Sequence, residues 1–119
     1  MEVVKRMWID FREKGVDVAL AQLHPDVEFQ LDDGTVLVGH QAVRDFFARF
    51  VGDGRQFAAS PYTFEPCGEG VIVAGHRRIQ TAEASDSEYT YFSHHVHAGL
   101  ITRVAAWPDR DVATADLLG

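Results

Sequence analysis

The 119-residue chain has one cysteine, Cys67, and 11 Lys and Arg against 18 Asp and Glu, a formal charge of −7. A single cysteine excludes an intrachain disulfide and a Cys-x-x-Cys metal or redox pair. Its setting, Pro66-Cys67-Gly68-Glu69-Gly70, reads as a turn, and no cationic or His neighbour in sequence would lower the thiol pKa. Paired basic residues occur only at Lys5-Arg6 and Arg77-Arg78. Without a stripe of cations there is no counterion release to drive binding to a phosphate backbone, so nucleic acid and anionic membrane surfaces are excluded as partners. No apolar stretch reaches signal-peptide or membrane-span length, and the expected address is the cytoplasm.

What is present fits one domain over residues 1–119. Hydrophobic residues make up 46% and charged residues 24%. A chain of this size buries roughly two-thirds of the surface it exposes when unfolded, enough for one core without metal or disulfides. No cofactor is called for.

Val3, Val4, Met7, Trp8 and Phe11 recur at helical spacing, with Glu2, Lys5, Arg6, Arg12 and Glu13 on the other side, so the first helix is amphipathic. Lys14 and Gly15 end it. Asp17 is placed to cap a short second helix through Val18, Leu20 and Leu23, stopped by Pro25. From Asp26 the period changes to two, with Val27, Phe29 and Leu31 alternating with Glu28 and Gln30. Asp32-Asp33-Gly34 is a hairpin turn signal, and Thr35 to Val38 reads as the returning strand. A third helix opens at Gly39-His40, with Ala42, Val43, Phe46, Phe47 and Phe50 on its apolar side, and ends at Gly52-Asp53-Gly54. Everything after that reads as strands: Phe57 to Phe64, Val71 to Thr81, Glu88 to His97 and Leu100 to Trp107. Helices followed by strands argue for an α+β domain in which helices cover one face of a curved antiparallel sheet.

Four stretches carry a resemblance to the nuclear transport factor 2-like superfamily, and within it to SnoaL-like and ketosteroid-isomerase-like proteins. They are Leu23-His24-Pro25-Asp26-Val27-Glu28-Phe29, Gly39-His40-Gln41-Ala42-Val43 with Phe46-Phe47, Gly70-Val71-Ile72-Val73-Ala74-Gly75, and Ala98-Gly99-Leu100-Ile101-Thr102-Arg103-Val104. The resemblance implies a cone-shaped α+β barrel opening on an apolar pocket, commonly in a homodimer packed through the sheet. It does not carry function by itself, because the fold hosts many chemistries.

The steroid-isomerase constellation is absent by residue. Leu31 stands at or beside the position of the family's carboxylate base, Trp8 near its tyrosine and Phe92 near its protonated acid. Asp32 and Asp33 follow Leu31 at once but read first as turn chemistry. For the epoxide-hydrolase arrangement of acid, arginine and acid, no Asp-x-Arg or Arg-x-Asp falls in the later strands.

Histidine is the remaining resource. Along Tyr89 to His97, parity groups Thr90, Phe92, His94 and Val96 as the more apolar set, which places His94 in the pocket as the candidate general acid or base. The alternative is a core histidine satisfied by a neighbouring polar group. His95-Val96-His97 has the His-x-His spacing of some metal sites, but no third ligand follows, so metal is a minor alternative. The expected ligand is a mostly apolar small molecule, contacted by Trp8, Phe11, Phe29, Leu31, Phe46, Phe50, Phe92, Val96 and Val104, with proton transfer by His94. The rival reading is a non-catalytic homodimeric interaction module.

Overall fold

A computed structural model describes all 119 residues. The first helix, α1 (Glu2–Lys14), buries Val4, Met7 and Trp8 and ends at Gly15, whose φ of 94° is open to glycine and strained for other residues. A single turn α2 (Val16–Ala19) and a 3₁₀ turn (Leu20–Gln22) return the chain to β1 (Leu23–Gln30). Pro25 therefore lies inside the strand rather than ending a helix. The turn at Leu31 to Gly34 leads to the short β2 (Val36–Val38), and α3 (His40–Gly52) follows. Then come β3 (Gln56–Cys67), β4 (Gly70–Gln80), β5 (Ser85–His97) and β6 (Leu100–Trp107). Cys67 belongs to the end of β3, so the predicted turn narrows to Gly68-Glu69.

The chain ends in a helix, α4 (Arg110–Leu118), where the sequence pattern predicted only strands. Its signal is local and short: Asp109 accepts hydrogen bonds from the backbone N–H groups of Asp111 and Val112, an N-cap that follows Trp107-Pro108 directly.

The six strands form one open sheet in the order β2-β1-β6-β5-β4-β3. All neighbours are antiparallel except β1 and β6, which run parallel. The sheet is a mixed, curved, unclosed cone rather than a complete barrel. Curvature is built where β3 slips register between Pro61 and Thr63, opposite Gly75. A Cβ on Gly75 would stand 2.2 Å from the Ser60 carbonyl oxygen, so the two backbones approach more closely than any side chain permits. Prolines 61 and 66 are tolerated because β3 is an edge strand, where missing donors disrupt no second ladder.

Helices α1, α2 and α3 cover the inner face and α4 covers part of the outer face. The core joins Val4, Met7, Trp8, Leu20, Leu23 and Val27 to Val43, Val71, Val73, Phe92, Ile101 and Val104. No helix is long and apolar enough to cross a membrane.

Candidate active site

Between the helices and the concave sheet lies a cavity of about 240 Å³. Seven phenylalanines line it: Phe11 from α1, Phe29 from β1, Phe46, Phe47 and Phe50 from α3, Phe57 from β3 and Phe92 from β5. Edge-on contacts organise them, with ring centroids 5.1 Å apart for Phe11 and Phe47 and 5.8 Å for Phe47 and Phe57. Trp8, Leu31 and Val104 also line the cavity, so eight of the nine side chains expected to contact a ligand do face it. Val96 does not. It is half-buried against the core at the far end of β5.

His94 is also outside the cavity, and this corrects the placement expected from strand parity. Parity is right about the face: Thr90, Phe92 and His94 all point inward and are buried. Trp8, however, lies over His94 and separates it from the open space. The Trp8 indole N–H donates to His94 Nε2 at 3.0 Å. An indole nitrogen can only donate, so Nε2 is the acceptor and Nδ1 carries the proton. That proton faces the carbonyl oxygens of Phe92 at 3.1 Å and Val71 at 3.3 Å. Burial, only partly offset by these two carbonyls, lowers the pKa of His94 from 6.5 to about 4. A neutral imidazole with both nitrogens engaged and no exposed surface is a structural group, and nothing in this environment brings it a substrate proton.

The cavity wall is otherwise hydrocarbon until its mouth, where Gln30, Asp32, Asp33, Arg55 and Arg77 stand. Asp32 and Asp33 belong to the turn after β1, which the Leu31 and Thr35 backbone closes by a 2.8 Å hydrogen bond. Asp33 accepts from Thr35 N at 2.9 Å, and these bonds hold its carboxyl below the usual carboxylate range. Asp32 reaches across to Arg77 on β4, with Oδ2 at 2.6 Å from a guanidinium nitrogen. On the other side Arg77 holds Glu88 at 2.9 Å, its register partner on β5. An arginine bridging two acids is thus present although no Asp-x-Arg spacing encodes it; strand register brings the three together. The overlooked signal is parity in β4: Val71, Val73, Gly75, Arg77 and Ile79 share the inward face, and a charged residue in an apolar row marks a site.

On the opposite face of the sheet, Asp116 of α4 gathers Ser93, His95 and Arg103. It accepts from Ser93 Oγ at 2.7 Å and from Arg103 at 3.0 Å, and faces His95 Nε2 at 3.1 Å. The Arg103, Ser93 and His95 contacts hold its carboxyl below the usual range despite partial burial. This cluster anchors α4, and it takes one member of the His95-Val96-His97 pair. No group of three His, Cys, Asp or Glu side chains is placed to hold a metal ion.

No protein-family model matches the sequence, and no curated protein is significantly similar to it. Solved structures match over nearly the whole chain. TerC co-crystallized with polyporic acid superposes with a TM-score of 0.79 at 24% identity, over 98% of this chain and 95% of that one. The fold is that of the nuclear transport factor 2-like proteins. A protein described as nuclear transport factor 2-like and of unknown function, from Burkholderia pseudomallei, gives the same TM-score of 0.79 at 24% identity, over 98% of this chain and 92% of its own. An LEH-like epoxide hydrolase from M. tuberculosis reaches 0.76 at 15% identity, covering 98% and 87%.

Proposed function

We propose that the conical cavity binds a mostly apolar, ring-bearing small molecule and that the protein catalyses a proton transfer on it, of isomerase, dehydratase or cyclase type. The observation that carries this reading is the apolar cavity with the ion pair of Asp32 and Arg77 at its mouth. In it, Asp32 replaces His94 as the acid/base group. A carboxylate there takes a proton from carbon next to a carbonyl, and Arg77 faces the negative charge that develops on the carbonyl oxygen. The proton then returns to a different atom of the substrate, which leaves enzyme and charge unchanged. Such a base contributes about 10²–10⁴-fold to rate. The polyporic acid with which TerC was crystallized supports a ring compound as ligand.

The test is hydrogen-deuterium exchange of 2-tetralone α-protons, followed by NMR in D₂O. Catalysed exchange that falls about 10²-fold or more in Asp32→Asn, with the ketone still bound, supports the role of Asp32. Full exchange by the variant removes it.

A second reading rests on the outer face of β3, β4 and β5, where the exposed Tyr62, His76 and Tyr89 and the half-buried Tyr91 form an aromatic patch, with ring centroids 5.3 Å apart for Tyr62 and His76 and 5.4 Å for Tyr89 and Tyr91. α4 leaves this half of the sheet open. A second copy of the chain covering it would make a homodimer whether or not the cavity is catalytic. Sedimentation of the protein and of Tyr62→Glu decides: a dimer that the substitution dissociates supports the patch as the contact, and a monomer rejects it.

A further inference from the structure

We propose that the mouth of the cavity selects a carboxylate, so that the ligand is a ring-bearing organic acid held with its rings inside and its anionic group against Arg77 and Arg55. This rests on the reading of the cavity as a ligand site and adds the chemical class.

The interior offers a ligand no hydrogen bond. Its one polar hydrogen, the Trp8 indole N–H, is given to His94. Gln30, nominally at the mouth, has its side-chain carbonyl taken by Arg103 at 2.7 Å on the other side of the sheet. Any polar group on a ligand is therefore driven toward the remaining mouth residues, since a buried polar group without a partner is costly.

Among those residues the sign of the charge is decided by solvation. The Arg77 side chain is only 10% exposed, while its partners Asp32 and Glu88 are 43% and 57% exposed. The guanidinium is the buried member of the trio and the acids meet it from the water side. Arg55 stands nearer the solvent: its side chain is 39% exposed against 65% for its partner Asp53, and its guanidinium lies 4.2 Å from the centroid of the Phe50 ring. The Nε atoms of both arginines are buried without a hydrogen-bond partner. Buried polar atoms left unpaired in a native fold call for an explanation, and an oxyanion that displaces the groups now enclosing them supplies one. Well-hydrated carboxylates such as Asp32 surrender an arginine to an incoming acid at little cost, because water takes its place. A cationic ligand has no equivalent partner: Asp33 is fully solvated and held by its own turn, so pairing there gains little. The planar fork of Arg77 matches a carboxylate, and the phenylalanine walls match an aromatic or fused-ring body.

Calorimetric titration with 2-naphthoate and with its neutral methyl ester at pH 7 tests this. The unaltered protein is expected to bind the acid at least about 10-fold tighter than the ester, the range expected for a charge-assisted hydrogen bond of 1.5–3 kcal/mol. Arg77→Gln is expected to lower affinity for the acid about 10–100-fold and for the ester by much less, so that the preference is lost, and Arg77→Lys to restore part of the preference. Equal binding of acid and ester by the unaltered protein overturns the selection and leaves the cavity standing as a binding site. Failure of both probes to bind overturns the ligand site and the selection together.

Discussion

Replacing His94 with alanine separates a structural imidazole from a catalytic one. The side chain is fully buried, and its removal leaves the Trp8 indole N–H, a buried donor, without its acceptor. That orphaned donor costs about 1–3 kcal/mol, and the void where the ring stood adds about 2 kcal/mol if the walls relax only in part. The sum, about 3–5 kcal/mol, is a large share of the about 6–18 kcal/mol expected for a domain of this length. In urea it moves the midpoint down by roughly 2–3 M at a slope of about 1.5 kcal/mol/M. A pH series adds a signature that a simple packing loss lacks. Between pH 6.5 and about 4 the unfolded chain carries a proton on this imidazole and the folded chain does not. The stability conferred by the neutral form is therefore complete above about 6.5, falls as pH drops, and levels off below about 4. Its size is about 3 kcal/mol for a shift of this order. His94→Ala is expected to lose that slope, and Trp8→Phe to couple to it by about 1–2 kcal/mol in a double-mutant cycle. A variant as stable as the parent, with the same pH slope, would refute the account of a neutral histidine locked by Trp8.

Two further substitutions probe the scaffold. Asp116→Asn weakens the contacts of α4 with Ser93, His95 and Arg103; it is expected to lower stability by about 1–3 kcal/mol and to expose the Arg110 region to limited proteolysis, and unchanged protection would remove Asp116 as the anchor. Gly75→Ala forces a Cβ against the Ser60 carbonyl at the bend of the sheet and is expected to cost about 2 kcal/mol or more in thermal denaturation, whereas a neutral effect would mean the backbone there yields freely.

Much of the architecture was legible because local physics dominates it. Periodicity marked α1, α3 and the strands, since an amphipathic segment has one face to bury whatever surrounds it. It missed α4, whose nine residues form a weak stripe and whose helix is secured by one cap and by Asp116 across the sheet. Parity correctly turned Phe92 and His94 inward, yet facing inward and facing a cavity are different properties. Where helix α1 comes down on the sheet decides between them, and Trp8 occupies the space that would have opened onto His94.

The sequence by itself determined an α+β chain whose single cysteine excludes an intrachain disulfide, and an aromatic lining for whatever space its helices enclose. These follow from composition and side-chain period, which need no partner from elsewhere in the chain. Only the tertiary structure decided where the chemistry sits. Asp32 is tens of residues from Arg77 and Glu88 in the chain, and the three meet through a turn and a strand register. Coulomb attraction and desolvation act over a few ångströms, so which charges share a site depends on distances that sequence separation does not contain.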